Sequence, residues 1–129
     1  MSWARGPVAQ ALADMLEAAT AGTVYVHTRP PETLNPMTVV VGRTVTEVYS
    51  ASGFTVDQVE LPVLVVGGIE QEDDIDALKD IVRQAVQGDT TLKGTVQVAW
   101  CTEARGWRNV TGAGGIQLLY VELIVTIQM

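Results

Sequence analysis

Five carboxylates crowd one short stretch of the chain: Glu70, Glu72, Asp73, Asp74 and Asp76. Oxygen-rich groups of this kind suit calcium or magnesium. The stretch lacks the alternating ligands, central glycine and distal glutamate of an EF-hand loop, and on a helix these side chains would point in several directions. Acids placed just ahead of an apolar helical pattern instead complement the partial positive charge of a helix N-terminus. A solvated helix start is the expectation, and no metal ligand is assigned.

Gly112, Gly114 and Gly115 raise the question of a phosphate cradle. Such a cradle needs the loop to run into a helix N-terminus, and the P-loop form also needs Gly-Lys-Ser/Thr. Residues 116–120 read as strand, so a mobile hairpin tip is expected. His27 is the sole histidine, with no partner for acid–base work named by the sequence. It reads as a surface or packed structural residue. Cys101 alternates with Trp100 along a strand pattern and reads as a buried thiol rather than a nucleophile. Asn109-Val110-Thr111 matches a glycosylation sequon that only a secreted chain could use. No catalytic residue and no cofactor site is assigned, and the chain does not read as an enzyme.

Trp107, flanked by Arg105 and Arg108, has the composition of a contact patch. The competing reading is a tryptophan that folds back over the core. With Tyr49 and Phe54, these three residues are the candidate interface.

The elements that must position these residues follow from composition and periodicity. The 129 residues are 47% hydrophobic and 18% charged, which suits one domain, 1–129, with one core. A net charge of −7 repels phosphates, so tight binding to a nucleic-acid backbone is not expected. A single cysteine precludes an intrachain disulfide and suits a reducing cytoplasm. Residues 1–7 contain no apolar segment of a secretory signal. No apolar run reaches the roughly 20 residues of a membrane helix. The longest, 118–127, is broken by Glu122 and Thr126 and reads as strand.

Residues 7–21 form the first expected helix, with Val8, Leu12, Met15, Leu16 and Ala19 on one face. Pro7 suits its first position and Gly22 its C′ position. Strands are expected at 23–28 and 37–41. The stretch 43–58 admits a strand at 45–49 and a turn at 50–53, which together would make an extended hairpin arm. A strand at 59–66 follows, with Pro62 near its start or on a sheet edge. The second helix spans 70–87, with Ile75, Leu78, Val82, Ala85 and Val86 as its apolar face. Asp76–Lys79 and Asp80–Arg83 are spaced for i, i+3 pairs, and Gly88 suits a left-handed cap. After a turn at 89–94 come a strand at 95–102, a loop at 103–115 and a last strand at 116–128. In that last strand Leu119, Val121, Leu123, Val125 and Ile127 fall on one face. Leu118, Tyr120, Glu122, Ile124 and Thr126 fall on the other. This order predicts an α+β fold: one mainly antiparallel sheet with two helices packed on one face. The mixed second face is apolar enough to be covered too, for example by a neighbouring subunit.

In this order of pieces the chain resembles the tail terminator (tail completion) proteins of long flexible-tailed (siphovirus) bacteriophages. The resemblance covers most of the chain. It rests on the N-terminal amphipathic helix, Met37-Thr-Val-Val-Val, Leu61-Pro-Val-Leu-Val-Val, and the acidic helix at 70–87. It continues through Asp89-Thr-Thr-Leu-Lys-Gly and Leu119-Tyr-Val-Glu-Leu-Ile-Val-Thr-Ile. Thr91-Leu92-Lys93-Gly94 resembles the family's Thr-Leu-Gly-Gly, with Lys93 as a departure that would be strained if the family glycine takes positive φ. The resemblance implies a structural virion protein of the tail or neck, assembled in the bacterial host cytoplasm. It implies a homo-oligomeric hexameric ring that caps the tail tube, ends tail polymerisation and presents a surface for head attachment. The implied partners are the tail tube protein and a head–tail connector or stopper protein, with DNA passing through the lumen without specific binding. No cofactor and no membrane are implied. Another neck or head–tail joining protein is the alternative, followed by a small α+β ligand-binding domain or enzyme with a pocket between sheet and helices.

Overall fold

The computed structural model describes residues 5–29, 31–42, 46–49 and 56–128, with residues 46, 48, 49, 56, 57, 103–105, 107 and 113 described by their backbone alone. Among the described residues the elements run α1 (Arg5–Thr20), β1 (Tyr25–His27), β2 (Thr38–Val41), β3 (Thr46–Tyr49) and β4 (Val56–Gly68). They continue with α2 (Glu72–Gly88), β5 (Val98–Thr111), a single 3-10 turn (Ala113–Gly115) and β6 (Gln117–Gln128). The six strands form one sheet in the order β1-β2-β4-β6-β5, with β3 beside β4. β1 and β2 are parallel, and the other pairs are antiparallel. This is the expected α+β architecture.

Both helices lie on one face of this sheet. Val8, Leu12 and Leu16 of α1 and Ile75, Leu78, Val82 and Val86 of α2 are buried against Val39, Val41, Leu61, Val63 and Val65. The same cluster takes in Val121, Leu123, Val125 and Ile127 of β6. The α1 stripe differs from expectation at one place. Ala19 is exposed, while Ala9, Ala11 and Ala13 are buried, so small residues let the helix sit close to its neighbours. α1 ends where Ala21 and Gly22 adopt positive φ, as expected for a glycine stop. α2 does not end as expected. Gly88 is not left-handed. Asp89 instead closes the chain reversal, its carboxylate accepting from the Thr91 hydroxyl at 2.6 Å, the Thr91 N–H at 3.1 Å and the Lys93 N–H at 2.9 Å. Those bonds hold its pKa below the ordinary carboxylate value, the Thr91 hydroxyl first among them. The expected i, i+3 pairs are present, Lys79–Asp76 at 3.1 Å and Arg83–Asp80 at 3.7 Å.

β4 is the hub. Its later half, Val63–Val66, pairs with β2, and its earlier half, Val56–Glu60, pairs with β3. Its other edge pairs with β6 from Gln58 to Gly68. Pro62 therefore sits mid-strand, not near a strand start or on a free edge. The fold tolerates it because the β2 edge hands over to β3 there. Gly42 faces Pro62 and donates its N–H to the Pro62 carbonyl at 2.6 Å. Proline has no N–H to return. The Arg5 guanidinium serves the Gly42 carbonyl instead, at 2.7 Å, and also the Thr28 carbonyl at 2.8 Å. Glycine is required at 42, since a Cβ there would stand 2.5 Å from Pro62 Cγ.

The expected loop at 103–115 is instead mostly strand. β5 runs to Thr111, with register shifts between Glu103 and Arg105 and between Arg105 and Arg108. Two β-bulges absorb two extra residues around Gly106, which destroys the alternation a strand normally shows. The loop proper shrinks to the turn at Gly112–Ile116, where the Gly112 N–H donates to the Ile116 carbonyl at 2.7 Å.

Candidate functional site

The residues singled out for chemistry are dispersed. Glu70, Glu72, Asp73, Asp74 and Asp76 are all exposed around the first turn of α2. Among the described residues, no group of three or more His, Cys, Asp or Glu side chains could hold a metal ion. His27 is half-buried at the end of β1. Cys101 is half-buried on the helix-covered face, and burial pushes its thiol up to about 11, opposed weakly by the charge of Arg83. A thiol so protonated is a poor nucleophile at neutral pH. Gly114 and Gly115 have positive φ at the β5–β6 hairpin tip, which leads into a strand and not into a helix. Asn109-Val110-Thr111 closes β5.

The candidate interface residues share a strand only in part. Position 105 in β5 pairs with Glu122, and Arg108 pairs with Tyr120. The bulge before 105 moves that position from the helix-covered face to the second face, the side of Glu122. Arg108 is exposed. The side chains of Arg105, Trp107 and Tyr49 lie outside the described residues, as does Phe54 altogether. Tyr49 has its backbone in β3, opposite Val56.

The second face of the sheet holds what sequence reasoning missed. Across its upper half, the chain's own segment after β1 covers the strands. Pro31 and Leu34 lie over Val40 of β2, Leu64 and Val66 of β4, Tyr120 of β6 and Val110 of β5, and these residues line a partly open apolar cavity of about 240 Å³. Val40, Val66 and Leu118 are consequently buried on this face. The cover is close: a Cβ on Gly112 would stand 2.5 Å from Leu118 Cδ1 and 2.7 Å from the Leu34 carbonyl. The expected covering of this face is thus partly internal. Across the lower half, in the register rows Thr102–Ile124–Pro62 and Trp100–Thr126–Glu60, Thr126 is buried, Ile124, Pro62 and Glu60 are half-buried, and Thr102 and Trp100 are exposed. The readable signals were Pro31 and Leu34 inside a polar loop, and Leu118 and Tyr120 on the mixed side of β6. No described helix is long and apolar enough to cross a membrane.

No protein-family profile matches the chain, and no curated protein sequence matches it. A solved structure of the virion of a native gene transfer agent (GTA) particle contains a chain that superposes with a TM-score of 0.56. The correspondence covers 99% of this chain and 100% of that one, at 14% identity. The likeness is one of fold. It extends over nearly the whole of both chains.

Proposed function

We propose that this chain is a structural protein of a phage-like virion, a tail terminator whose copies form a ring on the end of the tail tube. The observation that carries this reading is the end-to-end fold correspondence with a chain of the GTA virion. The family resemblance narrows it, because its segments fall in family order on α1, β2, β4, α2, the 89–94 turn and β6. The left-handed φ of 60° at Lys93 supports the comparison of that turn with the family's Thr-Leu-Gly-Gly.

In this role the work is recognition rather than turnover. A ring repeats one heterologous contact around an axis, which requires two different surfaces on each copy. The ring caps the tube, stops its polymerisation and offers its other side to a head–tail connector. DNA passes through an acidic protein that has little affinity for phosphate. Arg108 and Trp107, on the edge strand β5, are proposed contacts of this assembly.

Deleting the gene tests the role in the virion. A terminator's loss gives overlong tails that do not join heads, whereas tails of normal length that fail to join heads assign the chain to another neck position. Native mass measurement tests the ring: six copies are expected, and a chain that stays monomeric even with tail tubes present contradicts it.

A further inference from the structure

The cavity on the second face is lined by apolar side chains with Tyr120 as its one polar-tipped wall. A partly open apolar pocket of this size would gain packing contacts from an inserted apolar side chain. Its surroundings carry exposed cations. Arg108 is register-paired with Tyr120, and Arg29 precedes Pro31 by two residues. The acids on the same side are exposed Glu32, half-buried Glu122, which is engaged within its own chain, and half-buried Glu60 in the lower half.

The chain also carries a matching projection. Ile69 is 49% exposed in the turn between β4 and α2. That turn is held by the Gly68 N–H on Gln71 Oε1 at 2.7 Å, the Gln71 N–H on the Gly68 carbonyl at 2.9 Å, and the Ile75 N–H on the Gln71 carbonyl at 2.9 Å. A side chain presented on a fixed turn loses little freedom on docking. Glu70, Glu72, Asp73 and Asp74 follow it, all exposed. Other exposed apolar side chains fit less well. Ile116 is flanked by Gly115 and Gln117, neither of them charged, and Trp100 and Tyr25 belong to the receiving face itself.

We propose that Ile69 of one copy seats in the cavity beneath residues 31–37 of the next, with the acids at the start of α2 facing Arg29 and Arg108. The turn that holds Ile69 leads to the helix-covered side, while the cavity opens on the opposite face, so the contact is head-to-tail. A head-to-tail contact repeats into a ring when its rotation closes. The inference rests on the reading of this chain as a ring subunit and names the surfaces that make the ring.

The test uses the purified full chain, with assembly read by native mass and sedimentation. Ile69→Asp is expected to leave monomers while circular dichroism and the denaturation midpoint stay unchanged. Arg108→Glu is expected to raise the concentration needed for assembly about tenfold, the effect of losing one rim charge pair. Adding Glu70→Arg to Arg108→Glu is expected to restore it. The double variant Ile69→Cys with Leu34→Cys is expected to give a covalent ladder on oxidation, which neither single variant gives. If the wild type forms rings but Ile69→Asp and Arg108→Glu assemble normally and the cysteine pair does not cross-link, this interface is overturned and the ring reading stands. A wild type that is monomeric with and without tubes overturns both. Protection of a Leu34→Cys thiol by added tail tubes, and not by ring formation, assigns the cavity to the tube protein and also overturns the interface.

Discussion

β6 places two sets of side chains on two faces of the same sheet, and the two faces have different fates. Towards the helices, Val121, Leu123, Val125 and Ile127 have no exposure at all. On the other side, Leu118 is fully buried, Tyr120, Glu122 and Ile124 are half-buried, and Thr126 is 8% exposed. Backbone and strand are identical, so the difference comes from the cover. Two amphipathic helices seal the first face along its length. Among the described residues, one loop covers the upper half of the second, with a pocket beneath it, while Ile124 stays half-buried and Trp100 exposed in the lower half. A sealed face works as core. A half-covered apolar face is the kind of surface that a neighbour can complete, as the proposed ring would require.

The strongest attempt to break this contrast compares adjacent residues of β6. Leu123→Ala removes a fully buried side chain from beneath the helices and should cost about 3 kcal/mol in chemical denaturation. Ile124→Ala, one residue on and facing the other way, should cost about 1 kcal/mol or less, since its side chain is half-buried. Equal losses would mean that the second face is as much a core as the first.

Gly112→Ala sharpens the contrast within the second face. The added Cβ meets Leu118 and the Leu34 carbonyl, so the cover must shift or the hairpin must bend. A loss of about 2 kcal/mol is expected, in the range of overpacking, together with faster proteolysis of the 31–37 segment. A neutral effect would show that this cover is loosely held.

Arg5→Met probes the margin between the helix layer and the sheet edge. It keeps the aliphatic stem of a side chain that snorkels but withdraws the donor from the Gly42 and Thr28 carbonyls. A destabilisation of about 1–2 kcal/mol is expected by thermal melting. The same change should leave the isolated Leu123→Ala penalty unaltered, because Arg5 joins the layer at its rim and not in its centre.

Much of the first face was legible in the sequence, because helices and half-buried strands announce themselves by period. Ile75, Leu78, Val82 and Val86 repeat at helical spacing, and Leu119 to Ile127 alternate. The second face was less legible for physical reasons. The two bulges around Gly106 break the period of two, so the part of β5 after Thr102 looked like a loop. Pro62 sits inside β4 where β2 hands over to β3, and Arg5, far away in sequence, serves the Gly42 carbonyl that proline leaves unmatched. The cavity depends on Pro31 and Leu34 returning across strands that are distant along the chain, and no local pattern encodes that return. Lys93, by contrast, was readable as a strained departure, and its φ of 60° matches that expectation.

That residue gives the smallest predicted effect and the finest control on the contrast between faces. Lys93 and Leu92 both hold positive φ, 60° and 47°, where a Cβ is unfavourable. Leu92 has a reason to stay: it is fully buried in the core on the helix side. Lys93 is exposed, and its ammonium stands 4.0 Å from the Asp14 carboxylate, a pair between two solvent-facing groups that contributes little. Lys93→Gly should therefore raise stability by about 0.5–1 kcal/mol in urea denaturation, relief of left-handed strain outweighing the greater freedom of glycine in the unfolded chain. The gain should appear equally in assembling and monomeric protein, because the turn lies at the end of α2 remote from the Ile69 end. A gain seen only after assembly would place the 89–94 turn in the subunit contact and would move the interface away from the second face.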